Sequence, residues 1–206
     1  ARYEACVRQM ADQVARILDA LAARGAQDDT AFVFCADHGQ ALGDKAYFGH
    51  ATHMQINVAV PLLLRFPERC NVPAQRNPRL VSLVDLMPTL LAHLAIPGLE
   101  AYVTQFRGTD VLAPVLARKH VVTAEESTRF KKQPYHAGLV TERWKYVQVE
   151  GGPGLLYDLA GAGEERDVAA QNPEIVKELE ALLTAELGTS VLRAGAPGPV
   201  DPEQQE

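Results

Sequence analysis

Residues 31–39 read AFVFCADHG, an apolar run that ends in Asp37, His38 and Gly39. A short run of consecutive apolar residues is typical of a strand covered on both faces, as in a parallel sheet. The ligands of open α/β sheets gather beyond the carboxyl ends of the strands. Asp37 and His38 are therefore candidates for chemistry, and Cys35 is predicted to lie in the core.

The segments on either side of this strand complete an α/β pattern. Apolar residues from Val7 to Leu21 recur at helical spacing and predict an amphipathic helix that ends at Gly25. A long polar loop follows over residues 39–57, and residues 58–64 give a second buried strand. A further helix is predicted from an N-cap at Asp85 to about residue 96. The sequence thus predicts a mixed or parallel sheet flanked by helices.

The pattern changes from Lys119 onwards to shorter candidate strands, which predict a small antiparallel sheet. These strands are residues 120–124, 137–141 and 145–149. Asn172 and Pro173 begin a final helix, as cap and first helical residue. We therefore predict an α/β unit over residues 1–117, a sheet-and-helix subdomain over 118–193 and a disordered Pro/Gly-rich tail over 194–206.

The composition argues against some partners. The net charge is −6 and the chain has no dense Lys/Arg tract, so neither nucleic acid nor an anionic membrane is an expected partner. No stretch approaches the roughly 18 to 20 apolar residues of a membrane span. The three cysteines are spaced like neither a zinc site nor a disulfide framework, so a cytoplasmic and an extracytoplasmic or periplasmic location both stay open. The oligomeric state also stays open.

The residue types of Asp37 and His38 suit a divalent cation. A carboxylate oxygen and an imidazole nitrogen are common ligands, and adjacent residues at a bend can reach the same ion. The alternative is a capping aspartate and a hydrogen-bonded histidine at the entrance of the loop. The two residues by themselves leave both interpretations open.

Several segments, taken in order along the chain, resemble the sulfatase family of the alkaline-phosphatase superfamily. They are residues 12–21, 28–30, 32–39, 42–44, 58–65, 84–91, 108, 112–116, 143–146 and 156–159. Independent patterns in the right order are far more specific than any one motif. The resemblance implies an alkaline-phosphatase-like α/β fold, in which residues 1–117 are the C-terminal part of the catalytic domain.

The resemblance also implies roles for residues of the loop. Asp37 and His38 would be two ligands of one catalytic divalent metal. Many family members have Asn where His38 stands, and an amide oxygen suits calcium, whereas an imidazole nitrogen favours manganese, zinc or iron. Calcium or manganese is therefore expected, with magnesium, zinc or iron as alternatives. His50 lies where the family often has Lys and would bind the substrate oxyanion or protonate the leaving group. The candidates for supporting positions around these residues are His53, Asp44 and Lys45.

The nucleophile that the resemblance implies does not occur in this sequence. In the family it is a Cys or Ser in a Cys/Ser-x-Pro-Ser-Arg motif, which becomes formylglycine in sulfatases, and the nearest segment, residues 70–73, has the wrong spacing. The chain begins at Ala1 without an initiator Met, and a helical pattern follows within a few residues. We therefore expect the formylglycine in a missing N-terminal half, and we expect the isolated chain to be inactive.

The expected function of the whole protein is metal-dependent hydrolysis of a small-molecule or glycan sulfate ester. The metal and cationic side chains would offset charge on the transferred sulfuryl group. One alternative is a phosphonate monoester or phosphodiester hydrolase, or a phosphoglycerol transferase, of the same superfamily. A second alternative is a non-catalytic remnant that serves as a structural or binding module.

Overall fold

The computed structural model describes most of the chain, in several ranges. These are residues 2–50, 52–99, 102, 105–114, 119–125, 136–149 and 152–187. The helices are α1 (Arg2–Ala23), α2 (Gln55–Val58), α3 (Leu86–Leu94) and α4 (Pro173–Leu187). The strands are β1 (Phe32–Cys35), β2 (Ala41–Leu42), β3 (Phe48–Gly49), β4 (Leu62–Arg65), β5 (His120–Glu125), β6 (His136–Thr141), β7 (Trp144–Val149) and β8 (Leu155–Asp158).

The chain divides into two compact units that are not continuous in sequence. The first contains residues 1–35, 61–78 and 83–116, and the second contains residues 36–60, 79–82 and 117–206. The domain bounds expected from the sequence stay a prediction. The expected tail, residues 194–206, lies outside the described residues.

The first unit confirms the predicted helices but not the predicted environment of the first strand. β1 pairs with β4 in antiparallel register, with Cys35 opposite Leu62, so the expected parallel arrangement is wrong for this pair. Cys35 is exposed, so its predicted core position is also wrong. The apolar run indicated cover on both faces, whereas its four residues are only partly buried or exposed and α1 contains no buried residue.

Asp85 precedes α3, as predicted, but its side chain does not cap the helix. Its carboxylate Oδ1 instead accepts a hydrogen bond from the Thr109 backbone N–H at 2.8 Å. The Thr89 hydroxyl donates to the Asp85 carbonyl at 2.6 Å and accepts from the Val111 N–H at 3.0 Å. This buried polar cluster ties α3 to residues 109–111.

The second unit is built on a four-stranded antiparallel sheet in the order β5-β6-β7-β8. The three predicted strands are confirmed within one residue, and β8 adds a strand that the pattern did not predict. Leu139 lies opposite Tyr146, and Tyr146 lies opposite Leu156, which places these buried side chains in one row against α4. The core is Ala137, Leu139, Tyr146, Leu156, Leu179 and Leu183. Helices and sheets together confirm the α/β class.

Loop residues of the second unit contact the sheet at Gly138. The Nδ1 atom of His53 lies 2.8 Å from the Thr123 hydroxyl. A Cβ atom at Gly138 would lie 2.6 Å from that hydroxyl and 3.2 Å from His53 Nδ1, so only glycine admits this close approach. Among the described helices, none is long and apolar enough to cross a membrane.

Candidate metal and substrate site

Asp37 and His38, in the turn that follows β1, each present one side-chain atom that could coordinate a metal ion. Oδ1 of Asp37 accepts a hydrogen bond from the His38 backbone N–H at 2.9 Å, which leaves Oδ2 without this contact. His38 Nδ1 lies 2.9 Å from the Gly39 carbonyl oxygen. A carbonyl oxygen can only accept, so this contact places the ring proton on Nδ1 and a lone pair on Nε2.

These two donor atoms fit a cation as two of its ligands. Asp37 Oδ2 and His38 Nε2 are 3.7 Å apart, and the side chains are 88% and 46% exposed, so an ion can reach both atoms. A ligand set of one carboxylate oxygen and one imidazole nitrogen suits manganese, zinc or iron better than a set made only of oxygen ligands does. No group of three His, Cys, Asp or Glu side chains that could hold a metal ion forms within the described ranges. Further ligands would have to come from elsewhere.

His50 lies directly against His38. The two rings are stacked, with centroids 4.2 Å apart and an angle of 14° between their planes. His50 is exposed, so a ligand can also reach its ring. Residues separated by the hairpin of β2 and β3 are therefore brought together, and the three side chains with the predicted main roles form one group.

A close backbone contact holds the turn at Gly39. The Gly39 N–H donates to the Asn57 carbonyl oxygen at 2.7 Å. A Cβ atom at Gly39 would lie 2.0 Å from the Ile56 carbonyl oxygen. Residues 37–39 and α2 can therefore pack this closely only with glycine at position 39.

We expect Gly39→Ala to lower the free energy of unfolding by roughly 1 to 3 kcal/mol, because its methyl group would push the turn away from Ile56. The measurement is urea denaturation. Gly152→Ala is the matched control, because a Cβ there would meet its nearest atom at an ordinary 3.6 Å. Equal losses in the two variants would contradict the close packing of Gly39.

The three residues predicted to support the site contact other parts of the second unit. Asp44 Oδ2 accepts a hydrogen bond from the Leu42 N–H at 3.3 Å within the hairpin. Lys45 donates to the Glu164 carbonyl oxygen. His53 contacts Thr123 and is buried. Their supporting roles in catalysis stay predictions.

Lys145 and Glu164 fix the same loop, and neither was singled out from the sequence. The Lys145 ammonium donates to Glu164 Oε1 at 2.5 Å, and Glu164 Oε2 accepts from the Gln55 N–H at 2.7 Å, at the start of α2. Burial lowers the pKa of Lys145, and Glu164 opposes that shift. The signal that could have indicated this pair is a lysine flanked by apolar residues at the start of a predicted strand. A buried ammonium needs a partner, so such a lysine predicts a nearby carboxylate.

Known proteins are similar to this chain in sequence. The family model described as Sulfatase matches residues 1–96. A choline-sulfatase of Rhizobium meliloti is 28% identical over 83% of this chain and 33% of its own length. The chain spans about a third of the length of such curated relatives.

Solved structures share the fold. Bacteroides fragilis yidJ superposes with a TM-score of 0.74 at 23% identity, over 90% of this chain and 41% of its own. The phosphonate monoester hydrolase of Agrobacterium radiobacter has a TM-score of 0.68 at 25% identity, over 84% of this chain and 38% of its own. These likenesses show an alkaline-phosphatase-like fold. With that fold, the family-model match over residues 1–96 and the similarity to curated sulfatases show that the chain belongs to the sulfatase family of the alkaline-phosphatase superfamily.

Proposed function

We propose that the protein hydrolyses sulfate esters at a divalent metal that Asp37 and His38 help to hold. The observation that supports this most directly is the pair of free donor atoms, Asp37 Oδ2 and His38 Nε2, at 3.7 Å. Hydrogen bonds to neighbouring backbone atoms orient both side chains, so little reorganisation is needed to bind an ion. The bound cation would supply Lewis-acid stabilisation of charge on the sulfuryl oxygens.

His50 is proposed to act on the substrate beside these ligands. Its exposed ring, stacked on His38, can place a nitrogen near a sulfate oxygen. A protonated His50 would bind a non-bridging oxygen or give its proton to the leaving-group oxygen. The attacking group, expected as formylglycine, has no matching motif in this sequence, so these residues supply binding and charge stabilisation rather than the nucleophile.

Hydrolysis of a phosphonate monoester is the second candidate. The likeness to the Agrobacterium radiobacter enzyme supports it. Sulfate and phosphonate esters present similar tetrahedral groups, and Asp37, His38 and His50 could bind the oxygens of either. The leading substrate class remains the sulfate ester of a small molecule or a glycan, which agrees with the choline-sulfatase likeness.

The test uses the complete open reading frame that encodes this chain. Metal content and hydrolysis of an aryl sulfate, an aryl phosphonate and a bis-aryl phosphate are measured for the unchanged protein, for Asp37→Ala and for Asp19→Ala, an exposed α1 aspartate that serves as the control. We expect the sulfate to be preferred and Asp37→Ala alone to lose both metal and activity. Preference for a phosphorus ester would favour the second candidate, and an active Asp37→Ala variant would contradict the site.

We expect His38→Asn to shift metal preference from manganese towards calcium, because an amide oxygen is a harder ligand than an imidazole nitrogen. The measurement is elemental analysis of protein equilibrated with equal concentrations of the two ions. His93→Asn is the control, since His93 pairs with Asp110 in the first unit. An unchanged metal ratio in His38→Asn would show that this ring is not a ligand.

A further inference from the structure

Asn57 contacts both segments that carry the proposed site. Its carbonyl oxygen accepts the Gly39 N–H at 2.7 Å, next to His38. Its side-chain Nδ2 donates to the Thr52 hydroxyl oxygen at 2.6 Å, two residues after His50. The residue is 1% exposed, so water does not compete for these bonds.

We infer that Asn57 is a positioning residue, which sets the contact between the His38 and His50 rings through Gly39 and Thr52. This inference rests on the proposed function, because the two rings belong to the proposed site. The backbone bond fixes the turn that carries His38, and the amide bond fixes the loop that carries His50. With both ends held by one residue, the stacked rings keep their separation of 4.2 Å.

The other amide atom of Asn57 shows that stability alone does not explain this residue. Its Oδ1 is buried and has no hydrogen-bond partner within the described part of the chain. A buried polar atom without a partner is unfavourable for stability. An apolar side chain would avoid that loss but could not donate to Thr52, so the amide is explained by what its Nδ2 holds.

A double-mutant cycle tests the inference on the complete protein. The variants are Asn57→Ala, Thr52→Val and the two together, with Thr52→Ser as the control that keeps the hydroxyl. Imidazole NMR spectra of the metal-free protein at pH 8 report the ring-current shift of the stacked His38 and His50 rings, with His50→Ala as the unstacked reference. Manganese affinity is the second measurement.

We expect each single substitution to lose the ring-current shift and to weaken manganese binding several-fold. The double variant should be no worse than Thr52→Val alone, because both substitutions remove the bond between Asn57 and Thr52 and only Thr52→Val also removes the acceptor of the Met54 N–H. Thr52→Ser should behave like the unchanged protein. Thr52→Val keeps the Asn57 backbone and remains informative if Asn57→Ala does not fold. An unchanged shift in folded Thr52→Val, even with a lowered unfolding midpoint, would overturn the inference. If the unchanged protein binds no manganese but the shifts respond as expected, the positioning stands and the proposed function fails.

Discussion

Glu164→Ala is expected to lower the free energy of unfolding by about 3 to 5 kcal/mol, the usual loss when one partner of a buried ion pair is removed. The Lys145 side chain is 0% exposed and that of Glu164 is 13% exposed, so the ammonium would be left in the interior without its counter-charge. The substitution also removes the hydrogen-bond acceptor of the Gln55 N–H, which donates to Glu164 Oε2 at 2.7 Å. The loss is measured by urea denaturation.

Two variants make this result specific. Glu165→Ala removes the same side chain one residue later, where it is exposed, and should change stability by no more than about 0.5 kcal/mol. Lys145→Met combined with Glu164→Leu removes both charges and should be much less destabilised than Glu164→Ala. If Glu164→Ala and Glu165→Ala unfolded alike, the buried pair would not exist in solution.

Acidification is expected to destabilise the protein through His53. Burial lowers the pKa of His53 to about 4, the backbone of His136 opposes this shift, and the charges of His136 and Lys145 act in the same direction as burial. The unfolded chain, with the ordinary pKa of 6.5, binds more protons than the folded chain between about pH 6.5 and pH 4. Stability is therefore lost as the pH falls through this window, by on the order of 3 kcal/mol in total.

The measurement compares urea denaturation at pH 7.5 and pH 4.5 for the unchanged protein and for His53→Gln, which has no ring to protonate. Carboxylates contribute to both proteins, so the difference between them isolates His53. The unchanged protein should lose about 2 to 3 kcal/mol more than the variant over this interval. Equal losses would show that His53 is not buried as a neutral ring.

The parts of the fold that the sequence predicted well are those with local signals. Helical spacing predicted α1, a capping residue type at Asp85 predicted α3, and Asn172 and Pro173 marked the start of α4. The pairing of β1 with β4 could not be predicted in the same way. An apolar run indicates a strand, but it does not indicate the partner strand or whether the pair is parallel or antiparallel. Cys35 was misplaced for the same reason.

The residues of the site also divide into those with a local signal in the sequence and those without one. Asp37, His38 and His50 could be named because they match family positions within one loop. The bond from Asn57 to Thr52 joins two uncharged residues with no motif, and Glu164 meets Lys145 only after β7 and β8 have paired. Contacts of this kind depend on tertiary structure, so no spacing in the sequence predicts them.

The pairing of Cys35 with Leu62 also has a consequence for the order of events during folding. β1 and β4 can meet only after the chain of residues 36–61 has closed on itself, whereas β6 and β7 need only the turn at Glu142 and Arg143. Long-range pairing forms more slowly than local pairing. In pulse-labelling hydrogen exchange, amides of β6 and β7 should be protected before those of β1 and β4, and the reverse order would contradict this view. A refolding chain would thus form the β6-β7 hairpin first and the strand that leads into Asp37 and His38 last.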